Sequence, residues 1–282
     1  MIYLFLSVCC SVSVSVLLKL AKRYHIDIRQ AITWNYSAAA LLTMMIYRPA
    51  LPPYDRILLP TYISLGFLLP SIFLVLGLSV RYTGIVRTDI AQRLSLFIPV
   101  LAAFLIFGEG YSVMKITGIA IAFIAIIFSI PWQQTEERKT SYWIYPLIVF
   151  VGMGIIDILF KQIAKNSAVP YTSSLFAVFI LAFLISLIFL MYLYKTGKIR
   201  LSPIDFFCGI ILGIANFGNI LFYLKAHQAL ARQPSLVFSG MNIGVIVLGS
   251  LTGLILFREK LSRLNYAGII LALISILLMS RT

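Results

Sequence analysis

Residues 85–109 read IVRTDIAQRLSLFIPVLAAFLIFGE, and 150 residues later, at 235–259, the chain reads SLVFSGMNIGVIVLGSLTGLILFRE. Both segments open with polar side chains, turn apolar and end in a glutamate. Glu109 falls on Glu259 and Phe107 on Phe257, and the register holds downstream, with Gly118 on Gly268, Ala122 on Ala272 and Ile126 on Ile276. At the polar end, Asp89 falls on Ser239 and Gln92 on Asn242. A second correspondence, 142 residues apart, aligns Ser15 with Asp157 and Lys19 with Lys161, within the related strings LLKLAK and LFKQIAK. A chain that repeats at about half its length is built from two copies of one unit.

Composition says where that unit lives. Of 282 residues, 61% are hydrophobic and 11% charged, against roughly a quarter charged in a soluble domain. Such a chain has too little polar surface for water and reads as an integral membrane protein. The net charge of +14, from 23 Lys and Arg against 9 Asp and Glu, fits basic side chains flanking apolar segments at headgroup depth. No basic patch with interleaved aromatics points to nucleic acid. Cys9, Cys10 and Cys208 lie in apolar runs, an odd count without metal or disulfide spacing. The apolar run after Met1 has no basic leader and no A-x-A site, so a retained helix is expected rather than a signal peptide.

A spanning helix needs about 20 apolar residues. The pattern predicts ten, over 2–20, 30–47, 58–80, 87–107, 112–131, 143–164, 172–194, 204–226, 235–257 and 262–280. Continuous apolar runs rather than alternating ones exclude a barrel. The longest polar link, QQTEERKTS at 133–141, separates a first repeat, 1–132, from a second, 142–282. Five crossings carry each half from one side of the membrane to the other, so the second copy must be inverted relative to the first. The expected fold is all-α, with ten transmembrane helices as two inverted five-helix repeats, an arrangement of secondary transporters. Gly209 and Gly213, like Gly240 and Gly244, repeat at four-residue spacing and predict close helix crossings. Basic residues gather in the odd-numbered links, among them Lys22, Arg23, Arg138, Lys139, Lys198 and Arg200. The positive-inside rule favours both termini outside on this count, unless several of these basic residues face a cavity, and the orientation stays open.

Polar side chains inside a bilayer usually face a cavity or a partner. Ser7, Ser11, Ser15 and Lys19 recur every four residues along one face of the first segment. Lys19 and Lys161 either reach a central cavity from a helix end or snorkel to the headgroups. Asp157 sits four residues before Lys161 and can pair with it. The fourth segment opens with Arg87, Asp89, Gln92 and Arg93; an interfacial helix start explains the first two, and cavity lining the last two. Asn216, Asn219 and Tyr223 share a face, as do Ser239 and Asn242; they either line a site or join helices by hydrogen bonds. Trp34 and Tyr36 read as interfacial belt residues, Pro70 and Pro99 either as kinks at a gate or as local packing features, and Glu109 and Glu259 as caps or partners of Lys115 and Arg263. The candidate substrate-binding set is therefore Lys19, Gln92, Arg93, Asp157, Lys161, Asn216, Asn219, Tyr223, Ser239 and Asn242. Its lysines and arginine suggest a substrate with a carboxylate or phosphate, and Asp157 or Asp89 is a candidate for a coupling proton.

Ten segments in two five-helix halves, each with a glutamate nine residues before an early glycine (Glu109 and Gly118, Glu259 and Gly268), resemble the drug/metabolite transporter superfamily, EamA type. The resemblance covers the whole chain. It implies a multi-pass carrier of the bacterial inner membrane for amino acids, metabolites or drugs. It also implies cytoplasmic termini and a central cavity lined by the first, third, fourth, sixth, eighth and ninth segments. The expected function is alternating-access transport of a small polar metabolite such as an amino acid or organic anion, without cofactor or metal; P-loop, zinc-protease, serine-hydrolase and EF-hand motifs are all missing. The alternative is a membrane enzyme acting on a lipid or headgroup, with Arg87 and Asp89 as its acid–base candidates. A non-transporting subunit is the third reading, and two aligned polar faces argue against it.

Overall fold

A computed structural model describes residues 1–24, 26–50, 58–83, 85–110, 112–129, 142–166, 169–257 and 263–280. Among these residues the protein is all-helical: α1 (Ile2–Arg23), α2 (Ile28–Tyr47), α3 (Leu58–Thr83), α4 (Ile85–Leu94), α5 (Phe97–Leu105), α6 (Val113–Ser129), α7 (Ile144–Lys165), α8 (Tyr171–Lys195), α9 (Pro203–Ala229), α10 (Pro234–Phe257) and α11 (Arg263–Ser280). Five helices, α3 and α7 to α10, are long and apolar enough to cross a membrane. Large apolar side chains such as Leu105, Ile188 and Ile255 are exposed on the surface, as lipid-facing residues are.

Nine of the predicted segments fold as single helices. The exception is 87–107, which divides into α4 and α5 around a turn at Ser95–Leu96. Pro99 causes the break. It has no N–H for the Ser95 carbonyl four residues back, and its ring crowds that oxygen. The Ser95 carbonyl instead accepts from the Ile98 N–H at 3.0 Å, and Ser95 Oγ–H donates to the Gln92 carbonyl at 2.6 Å. The break places Gln92 and Ser95 at the end of a short helix in mid-bundle. Pro70, by contrast, leaves α3 continuous.

Packing pairs the elements in matched sets. α1 packs on α9, and α7 on α3. α2 packs on α9, and α8 on α3. α1 packs on α10, and α7 on α4 and α5. α2 also meets α8, and α6 meets α11. α2 is the most enclosed: Ile32, Tyr36 and Ala39 join Leu65, Phe179 and Phe217 in the main core. Tyr36 is fully buried, so the belt role expected of it is corrected; it sits in the third turn of a helix flanked by α8 and α9. Trp34 packs edge-on against Phe206 at 4.9 Å. α6 and α11 form a smaller core through Ala122, Ala125, Ala272 and Met279, tied by Ser275 Oγ–H to the Gly118 carbonyl at 2.7 Å.

One end of the bundle is laced by polar groups. Gln30 Nε2 donates to the Arg200 carbonyl at 2.8 Å and to Asp205 at 3.0 Å, and its amide oxygen accepts from the Ser202 N–H at 3.1 Å. Asp27 caps α2 by accepting from the Arg29 N–H at 2.9 Å. Burial alone would raise the Asp27 carboxyl, but hydrogen bonds and charge from Arg29 outweigh it and hold it below the ordinary carboxylate range.

Candidate functional site

α9 carries the polar face read from its sequence. Asn216, Asn219 and Tyr223 recur at three and four residues, which in a helix brings them to one side. They open on a cavity of about 180 Å³ in mid-bundle. Asp157 and Met153 reach it from α7, Gln92 from α4 and Ser95 from the break after it. Asn242 and Met241 reach it from α10, Ser11 from α1, and Leu69 and Phe73 from α3. The walls thus come from the first, third, fourth, sixth, eighth and ninth segments. They are unequal: where α9 presents two asparagines and a tyrosine, α3 presents leucine and phenylalanine.

The polar groups are held in definite orientations. Tyr223 O–H donates to Asp157 Oδ1 at 2.9 Å. Ser7 Oγ–H donates to both the Asn219 Oδ1, at 2.9 Å, and the Asn219 carbonyl, at 3.0 Å, tying α1 to α9. Asn242 Nδ2 donates to the Phe238 carbonyl at 3.2 Å. Asn216 is only 4% exposed, and its Nδ2 has no partner among the described residues.

Six of the ten candidate residues therefore meet at this cavity: Gln92, Asp157, Asn216, Asn219, Tyr223 and Asn242. Four do not. Arg93 is half-buried on α4 and is not among the lining residues. Ser239 is fully buried in α10, off the cavity. The Lys19 side chain lies outside the described residues, as do those of Arg87 and Asp89; the Lys19 backbone stands eight residues, about 12 Å, along α1 from Ser11. Lys161 is the clearest correction. It does not pair with Asp157, whose carboxylate is engaged by Tyr223. It is 2% exposed, and its Nζ donates to the carbonyls of His227 at 3.4 Å and Ala231 at 3.3 Å. Those oxygens close the C-terminal turn of α9, where a cation is favoured by the helix dipole and the uncapped carbonyls.

Lys161 is therefore a structural cap, and Lys161→Ala is expected to destabilise the fold by roughly 1–3 kcal/mol through the buried His227 carbonyl left without its donor. Denaturation of the purified protein in detergent measures this; a variant as stable as the parent would return Lys161 to the binding candidates.

Two residues of the wall, Ser11 and Ser95, and one buried beside it, His227, escaped the sequence reading. Ser11 was visible in the serine stripe of α1 but its depth was not. Ser95 reaches the cavity only because Pro99 breaks the helix. His227 extends the α9 face by one more turn, four residues after Tyr223, so its spacing was a usable signal. Its ring is fully buried, 4.7 Å from Tyr223 and 4.8 Å from Phe238, and neither nitrogen has a partner among the described residues. No group of His, Cys, Asp and Glu suited to a metal occurs among the described residues.

No family model matches the chain. A solved crystal structure of a protein superposes with a TM-score of 0.72 at 14% identity, covering 99% of this chain and 97% of that one, which is a likeness of fold. An uncharacterized protein of Haemophilus influenzae is 45% identical over 283 residues, spanning 97% of this chain and 95% of its own length. On that identity across nearly the full length of both, the chain belongs to the same family as the Haemophilus influenzae protein.

Proposed function

We propose that the protein is a secondary transporter of the drug/metabolite transporter superfamily, EamA type, moving a small polar metabolite across the bacterial inner membrane by alternating access. In this reading all ten segments cross the bilayer, and 1–132 and 142–282 are inverted repeats about an axis in the membrane plane. The linker 133–141 lies outside the described residues, as does Glu259. The observation that carries the proposal is the composition of the cavity wall: three segments from each half, and the same three in each. The matched packings support it, since exchanging the halves turns α1 on α9 into α7 on α3, and α2 on α9 into α8 on α3. A site on such an axis is reached from either side by rocking one set of helices against the other. Buried polar groups at mid-bundle are costly in lipid and are retained where they meet a solute.

Flux in proteoliposomes across a metabolite panel tests the reading; flux no greater than that of protein-free vesicles for every compound would overturn it. With a transported compound in hand, Asn219→Ala is expected to reduce flux roughly five- to tenfold at unchanged folded yield. That is about 1 kcal/mol for one neutral hydrogen-bonding group. Wild-type flux in that variant would remove Asn219 from the site.

A further inference from the structure

The charge of the cavity wall specifies the charge of its occupant. Among the described lining residues, the only ionisable side chains are Asp157 and Tyr223, which bond to each other. Arg93 is not in the wall, and Lys161 is committed to the end of α9. The ion pairs recorded among the described residues, Arg29 with Asp27 and Lys115 with Glu109, leave Asp157 without a cationic partner. Among the described residues, then, no lining cation supports the anionic substrate suggested by the sequence. A carboxylate inside a membrane protein that has one neutral donor is neutralised by a bound proton or compensated by a positive charge. The rest of the wall suits such a charge. Phe73, Phe160 and Tyr223 contribute aromatic rings, with Phe160 and Tyr223 edge-to-face at 6.3 Å, and Met153 and Met241 contribute polarizable sulfur. Asn216 Nδ2 is a buried donor without an acceptor. It asks for an oxygen on the solute, since a buried donor left unmade is costly.

Resting on the transporter reading above, we propose that the substrate is a small protonated amine that carries one hydrogen-bond acceptor, its ammonium held by Asp157 and its acceptor by Asn216. The volume of about 180 Å³ is on the scale of the roughly 150 Å³ cavity that binds benzene, which suits a compact solute. An added carboxylate on the solute would face Asp157 with no cation among the described lining residues to receive it.

The test is equilibrium binding of alaninamide, alanine and succinate to the purified full-length protein in nanodiscs. Alaninamide is expected to bind, alanine more weakly, and succinate not at all. Asp157→Asn should weaken alaninamide binding by about 10- to 100-fold, the loss of one charge-assisted bond, and Asp157→Glu should recover part of it. Succinate binding as tightly as alaninamide would overturn the proposal, as would undiminished alaninamide binding in Asp157→Asn or no binding of either amine. If Asp157→Asn does not fold, the ranking of the three probes on the wild type decides alone. Flux measured in parallel separates the two levels: transport of succinate without amine binding sinks the substrate class and leaves the carrier standing, whereas absence of flux for a broad panel sinks the carrier.

Discussion

Glu109→Ala is expected to lower stability by about 3–5 kcal/mol, the cost of stripping one partner from a buried ion pair. Glu109 is 4% exposed and serves three donor groups on two residues at once. Its Oε1 accepts from Lys115 Nζ at 2.9 Å and from Ser235 Oγ–H at 2.6 Å, and its Oε2 accepts from the Ser235 N–H at 2.8 Å. Ser235 is the second residue of α10, after Pro234, which has no N–H to satisfy. The carboxylate therefore caps one of the orphan amides at the positive end of that helix. Alanine would leave the Ser235 N–H bare and Lys115, itself buried, with only the Gly110 carbonyl at 3.3 Å. Glu109 and Lys161 grip the two sides of the same α9–α10 turn, one on the incoming amides and one on the outgoing carbonyls, which fixes the angle between two helices of the cavity wall. The double variant Glu109→Gln with Lys115→Met should recover most of the loss, because glutamine can still accept from Ser235 and methionine needs no counter-charge. Chemical denaturation in detergent measures all three proteins; a Glu109→Ala protein with the parent's midpoint would show that the pair contributes nothing.

How far the sequence carries this picture depends on the range of each interaction. Segment number and extent were legible because burial in lipid demands long apolar runs, and nine of ten segments fold as single helices. The face of α9 was legible because three- and four-residue spacing is a local property of a helix. Partners across the bundle were not. Spacing placed Asp157 and Lys161 on one face, but nothing local says that Tyr223 stands opposite the first or that the carbonyls of His227 and Ala231 stand opposite the second. Lysine is long enough to leave its own stripe, and it did. Glu109 was read correctly as partner to Lys115, six residues away, while its bond to Ser235, 126 residues away, carried no local signature. A kink was one of two readings of Pro99, but a proline acts on the turn before it, so the chain parts at Ser95. Tyr36 shows the same limit: its position suggested an interface, and only the neighbours of α2 show that it is core.

Gly213→Leu is expected to abolish the folded state. In lipid, helices gain nothing from burying apolar surface against each other, so close backbone approach does the work. α2 and α9 meet through Gly209 and Gly213. A Cβ on Gly213 would stand 2.6 Å from the Asn35 carbonyl oxygen and 2.7 Å from Ala38 Cβ, and one on Gly209 2.8 Å from the Ala31 carbonyl oxygen. Backbone atoms cannot rotate away, so any side chain at 213 must part the helices. Gly213→Ala should cost about 1–3 kcal/mol, the range for overpacking, and leucine more than the fold can absorb. The equivalent crossing of α3 with α8 has the same weakness: a Cβ on Gly66, 147 residues before Gly213, would lie 2.6 Å from Leu181 Cβ. Gly249, inside α10, is the control. Nothing lies within 4 Å of its added Cβ, and Gly249→Ala should be neutral or stabilising by up to ~1 kcal/mol through helix propensity. Size-exclusion profiles and thermal denaturation of the three variants decide the matter. If Gly213→Leu gives a monodisperse protein of parental stability, the α2–α9 contact is not what sets the spacing of the bundle. In that case Asn216, Asn219 and Tyr223, which α9 carries to the cavity, must be positioned by α1 and α7 instead.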